Sequence, residues 1–332
     1  MKLARRDSRR GPIGVLARVG FAALLVACGS RTGLFGEASD DTFDLLPDGG
    51  RVPRDSGVIV DASIPEALPP IDAEPRDASR IDCPDAEATL IYVVTSTNEL
   101  YSFYPPDGTF TFISNIACPT NQSATPFSMA VDRRGVAYVL FTDNLLYRVS
   151  TATGACVGTP FQANQQGFDS FGMGYATNAA GPTETLFAAG TGDNQGGGGP
   201  SQGLGRIDTP SFVLSKVGSF VPDIKRAELT GTGDGRLYAF YTKGAFNGPP
   251  SYIGEINTDT ARVVAETPFP TVDQGAGWAF AFWGGDFYMF TSPQDFGSDV
   301  TRWRPSDNSL SNVASLPKKV VGAGVSTCAP SQ

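Results

Sequence analysis

Gly231-Thr-Gly-Asp-Gly-Arg-Leu-Tyr-Ala-Phe-Tyr241, followed by a Gly/Pro-rich loop and Ser251-Tyr-Ile-Gly-Glu-Ile-Asn-Thr-Asp-Thr260, is the stretch that decides the fold. It spells a turn, a strand, a loop, and a second strand ending in another turn. Variants of it recur. An aliphatic–aromatic pair, or its equivalent, marks one strand at Ile91-Tyr92, Ala137-Tyr138, Leu186-Phe187, Leu237-Tyr238 and Phe287-Tyr288; the second members are 46, 49, 51 and 50 residues apart. A fixed period near 50 in a chain almost without helix-period runs points to a propeller or solenoid array.

The strand after each marker repeats as well, beginning at Leu100, Leu146, Leu204, Ile253 and Val300, with apolar first and fourth positions and a turn behind. Those turns fit hairpins to a following outer strand: Thr109–Ser114, Ala155–Pro160, Val213–Phe220, Arg262–Thr267 and Leu310–Leu316. Ahead of the markers lie strands read as small and apolar, at Phe127–Val131, Phe171–Tyr175, Glu228–Gly231 and Trp278–Phe282. Small residues suit an innermost strand, where blades crowd around an axis, so each repeat supplies a four-stranded blade. The first repeat lacks its inner strand, and Val320–Cys328 is a surplus strand-like segment at the far end. The expected fold is an all-β, five-bladed propeller over residues 90–332, closed by the C-terminal strand. Closure removes the open edge that would template aggregation.

Over residues 90–328 the chain resembles β-propellers of the WD40, YVTN and NHL-like group, most closely in Leu146-Tyr-Arg-Val-Ser-Thr-Ala-Thr-Gly154. The Gly-His and Trp-Asp signatures of WD40 repeats are absent. The resemblance therefore implies architecture and no particular activity.

The N-terminus carries an address. Residues 1–12 are basic and 13–27 largely apolar, the pattern of an export signal too short and interrupted to span a membrane well. Leu25-Val26-Ala27-Cys28-Gly29 resembles the lipobox of bacterial lipoproteins, which implies cleavage after residue 27 and lipidation of Cys28. Ser8-Arg9-Arg10 is similar to a twin-Arg motif, but Gly11-Pro12-Ile13 departs from it, and the general secretory route is expected. Gly29, where an Asp would signal inner-membrane retention in enteric bacteria, implies the outer membrane. Residues 28–89 read as a tether. Positions 31–89 hold 14 acids against 5 arginines, with Pro at 47, 53, 65, 69, 70, 75 and 84. Such a segment buries too little apolar surface to offset its ordering entropy, and proline and like charge keep it extended.

Net charge is −9, and because positions 1–27 carry six basic residues and one acid, the remainder holds −14. A body this acidic does not bind nucleic acid by charge. The chain has no histidine, which excludes His-based triads, His metal ligands and His pH switches. Apart from Cys28 there are four cysteines, an even number that suits an oxidising compartment. Three pairings exist; Cys83–Cys328 would staple the closure, and Cys118–Cys156 would then tie the first inter-blade link to the outer strand of blade 2.

Candidate site residues come from equivalent positions where the chain enters the blades. Asp223 and Asp273 each lie 15 residues before their marker Tyr, and Asp169 lies 18 before Phe187, in a repeat with a longer turn. Three carboxylates at one rim would suit a structural Ca²⁺ or resemble the acid set of five-bladed glycosidases. Loop residues favouring turns are the plainer reading. Asp132, Asp234 and Asp286, at the opposite end, read as turn residues, and Trp278, Trp283 and Trp303 as core or as sugar-stacking platforms. The expected function is a lipid-anchored binding or scaffold module for a protein or glycan, with no cofactor beyond that Ca²⁺. The alternative is a carboxylate-dependent glycoside hydrolase or lyase.

Overall fold

In a computed structural model, residues 89–121, 123–178, 182–192, 200–244 and 250–331 are described. The export segment 1–27, Cys28, the tether up to residue 88, and Cys83 lie outside the described residues.

The described residues form five four-stranded antiparallel sheets. Blade 1 holds β1 (Ile91–Thr95), β2 (Glu99–Tyr104) and β3 (Thr109–Asn115). Blade 2 holds β4 (Pro126–Val131), β5 (Val136–Phe141), β6 (Leu146–Ser150) and β7 (Cys156–Gly158). Blade 3 holds β8 (Phe171–Thr177), β9 (Glu184–Gly190), β10 (Leu204–Asp208) and β11 (Val213–Gly218). Blade 4 holds β12 (Lys225–Gly231), β13 (Leu237–Thr242), β14 (Ser251–Ile256) and β15 (Val263–Phe269). Blade 5 holds β16 (Trp278–Trp283), β17 (Asp286–Thr291), β18 (Ser298–Arg304) and β19 (Ser309–Leu316). The last strand, β20 (Val320–Val325), pairs with β1 from Ile91↔Val325 to Thr95↔Val320 and completes blade 1.

The inner strands β20, β4, β8, β12 and β16 touch one another in that cyclic order, so the ring is closed. Their small residues permit the approach. A Cβ on Gly172 would come within 2.0 Å of the Ala227 carbonyl oxygen in the next blade, and one on Gly322 within 2.7 Å of the Met129 amide nitrogen. The core is five hydrophobic clusters, one in each gap between neighbouring blades. The marker pairs sit on the second strands, which carry side chains into these gaps. Leu237 and Tyr238 thus face opposite gaps, as the period-2 geometry of a strand requires.

Cys118 is bonded to Cys156, 38 residues apart, joining the link between blades 1 and 2 to β7. Closing a loop of that length removes about 4 kcal/mol of unfolded-state entropy in the chain-entropy account. Cys328 is also disulfide-bonded; Cys83, its expected partner, is not among the described residues.

The propeller has two distinct ends. At the entry end the chain passes from one blade's outer strand to the next inner strand. At the exit end inner strands turn into second strands. Thr89 lies at the exit end, where its carbonyl accepts the Trp283 indole N–H at 2.7 Å. The C-terminal tail lies there too. Thr327 donates its hydroxyl to Glu184 in blade 3 (2.9 Å), and the Pro330 carbonyl accepts the Gly284 amide in blade 5 (2.8 Å).

Candidate functional site

The three rim aspartates are not brought together as a metal centre. No group of three or more His, Cys, Asp or Glu side chains among the described residues could hold a metal ion. Each carboxylate whose contacts are seen is engaged locally. Asp223 pairs with the Lys225 ammonium at 2.7 Å and accepts the Ser201 amide at 3.2 Å. Asp273 accepts the Gly275 amide at 2.9 Å, two residues on, as a turn-forming Asp does. Asp169 is half-buried.

What lies beside Asp273 was not visible in the sequence. A register shift between Lys225 and Glu228 bulges β12 and puts Arg226 at φ 53°, a left-handed conformation unusual for a side chain of this size. Its buried guanidinium lies 3.6 Å from the Trp278 ring centroid and donates to the Gly275 carbonyl at 3.0 Å. Burial lowers its pKa to about 10, against the opposing field of Asp273. The stack explains why Trp278 is a wall of the entry end rather than an open sugar platform.

The axis holds a second feature that the sequence reading missed. Glu228, read there as part of a small and apolar strand, is 2% exposed. It accepts the Ser128 hydroxyl from blade 2 at 2.8 Å, and Ser128 Oγ in turn accepts the Met173 amide of blade 3 at 3.1 Å. Similarly, Thr230 Oγ1 accepts the Phe282 amide of blade 5 at 3.1 Å. Inner-strand amides that face the axis have no further strand to pair with, and these side chains satisfy them. Burial pushes the Glu228 carboxyl well above the usual range, so it is a neutral cross-axis strut. A charged residue inside Ala227-Glu228-Leu229 was the available signal.

At the exit end, Glu184 joins three blades. It accepts the Arg133 amide of blade 2 at 2.7 Å as well as the Thr327 hydroxyl beyond β20. Burial raises its pKa to about 7, although both hydrogen bonds oppose the shift. Asp132 and Asp286 are structural there. Asp132 accepts the Arg134 and Val136 amides, each at 2.9 Å, and Asp286 pairs with Arg304 at 3.1 Å.

Asp234, in contrast, lines a cleft of about 340 Å³ between blades 4 and 5. Tyr238, Phe282, Phe287 and Trp303 supply its aromatic surface, and Asp234, Arg236 and Glu255 its polar one. The guanidinium of Arg236 forks onto Glu255, Nε at 3.1 Å and Nη2 at 2.6 Å, and lies 5.0 Å from the Tyr238 ring centroid. Trp303 stacks on Phe287 (5.4 Å, 20°) and donates its indole N–H to Asn308 at 3.0 Å. Glu266 is held by Lys243 and by the Tyr241 hydroxyl, each at 2.5 Å, which keeps its carboxyl below the usual range. Rigid aromatics with a few fixed polar groups are the composition of a small-molecule site, and the volume falls in the roughly 300–1,000 Å³ range of such sites.

The architecture defines a closed five-bladed propeller. No family model matches the chain, and neither does any curated protein. Among solved structures it is similar to one described as "Structure of Dos1 propeller", with 11% identity over 71% of this chain and 55% of that one, at a TM-score of 0.35. It is also similar to BamB from Moraxella catarrhalis, with 10% identity over 67% of this chain and 57% of that one, at a TM-score of 0.30. The matches thus span little more than half of each of those chains, and the likeness is one of fold alone.

Proposed function

We propose that this protein is a bacterial envelope lipoprotein whose propeller is a binding module, anchored through Cys28 and held off the outer membrane by its acidic tether. The observation that carries the binding reading is the cleft between blades 4 and 5. Its aromatic and charged groups are held in place by one another, yet the space between them is open. The anchoring reading rests on the Leu25–Gly29 run and on the basic and apolar segments before it. Thr89, the first described residue, is hydrogen-bonded to Trp283 at the exit end. Two or more acyl chains on Cys28 would make the attachment stable, at about 0.8 kcal/mol per buried CH₂.

Anchoring is tested by expressing the full chain in a Gram-negative host and examining its N-terminal peptide by mass spectrometry. The expected product begins at a diacylglyceryl-modified Cys28 and stays with the membranes, and Cys28→Ala releases it. An unmodified N-terminus, or membrane association that survives Cys28→Ala, overturns the lipoprotein reading.

A further inference from the structure

We propose that the cleft between blades 4 and 5 binds a neutral saccharide; this rests on the binding-module reading and gives it a ligand class. A sugar ring presents an apolar C–H face and a perimeter of hydroxyls, and the cleft offers a counterpart to each. Trp303 is an aromatic platform fixed on one side by Phe287 and at its edge by Phe269, 5.2 Å away. Asp234 and Glu255 offer carboxylate acceptors for O–H donors, and Arg236 offers N–H donors for ring and hydroxyl oxygens.

Charge narrows the choice. Carboxylates outnumber the cleft's one lining arginine, so a phosphate or an acidic sugar meets repulsion. A cationic side chain is also poorly served. The Tyr238 ring already carries Arg236, and Glu255 is already paired with Arg236. A ligand that brings hydroxyls and no charge uses the lone pairs left on Asp234 and Glu255 without having to break that ion pair. Because the platform and the Arg236–Glu255 fork are fixed before binding, little side-chain ordering opposes association.

The test is calorimetric titration of the full mature chain in detergent. The probes are glucose, galactose, N-acetylglucosamine, maltotriose and chitotriose, with inorganic phosphate and tri-lysine as charged comparisons. At least one neutral sugar is expected to bind saturably at about millimolar Kd, a strength typical of small, solvent-exposed ligands. Trp303→Ala should weaken it about tenfold or more. Asp234→Asn, at an exposed position that leaves the core intact, should weaken it by a factor of about three. Two results overturn the saccharide assignment: no saturable heat from any neutral sugar up to about 50 mM, or sugar binding that ignores both variants. If tri-lysine binds instead and Asp234→Asn abolishes it, the saccharide assignment fails while the binding-module reading stands. Silence from sugars, phosphate and tri-lysine alike removes the support this cleft gives to both.

Discussion

The gap between blades 2 and 3 and the gap between blades 4 and 5 are built on equivalent tyrosines, Tyr138 and Tyr238, both in the core, yet only the second borders a cleft. Tyr138 is 2% exposed, covered by Tyr175 (5.6 Å) and by Phe212 (6.3 Å). Phe212 comes from the turn after β10, at φ 58°, and its carbonyl is fastened by the Gln165 amide at 2.9 Å. The equivalent position in the turn of blade 5 is Asn308, at φ 56°, whose Oδ1 accepts the Trp303 indole N–H at 3.0 Å, and Tyr238 lines the cleft beside Arg236. The same repeat position therefore serves packing in one gap and access in another. At the equivalent turn position one gap receives Phe212 and the other Asn308.

The largest effect on this contrast should come from opening the filled gap. Phe212→Ala is expected to destabilise the propeller by about 3–5 kcal/mol, as other buried Phe truncations do, read as a loss in ΔG from urea unfolding. A cost under about 1 kcal/mol would show that Phe212 does not seal the gap.

Next is pH. Glu184 spans blades 2 and 3, and its carboxyl titrates near 7 in the fold against an ordinary 4.5. The folded state then keeps a proton that the unfolded chain has released, so stability is greatest below pH 4.5 and falls as pH rises to about 7. The full shift corresponds to about 3 kcal/mol, and partial exposure reduces it. Glu184→Gln should flatten that part of the melting profile. A wild-type midpoint unchanged between these limits would contradict it. Glu228→Gln should act in the same direction, raising the melting temperature at neutral pH, because the amide replaces a carboxyl that burial already keeps neutral.

The open gap should be more tolerant. Trp303→Ala is expected to cost about 1–2 kcal/mol, less than Phe212→Ala, because Trp303 is only partly buried. Smallest of all, Arg236→Ala should change stability by less than about 1 kcal/mol, since Arg236 is half-exposed in its pair with Glu255. A large loss from Arg236→Ala would mean the fork is structural rather than a preformed part of a site.

The repeat, the five blades and the borrowed β20 strand were legible because they depend on local pattern. Alternation along Leu237–Thr242 and a turn at each end make a strand wherever they occur, and a count of strands with one missing and one spare allows a single closure. The rim aspartates show where such reading stops. Equal spacing before Tyr238 and Tyr288 placed Asp223 and Asp273 at equivalent points in the chain, but each side chain turns to a near neighbour, Lys225 or the Gly275 amide. Asp234, read as a turn residue, lines the cleft between blades 4 and 5.

Sequence by itself determined the blade count, the order of strands and the ring closure, which follow from periodicity. Tertiary structure decided which of three cysteine pairings includes Cys118–Cys156, that Glu228 crosses the axis as a neutral strut, that a bulge aims Arg226 at Trp278, and that a cleft borders one gap. The physical reason is that a strand's identity is fixed by neighbours along the chain. The surroundings of a side chain are fixed by neighbours some 50 to 100 residues away, such as Ser128 for Glu228 and Trp278 for Arg226.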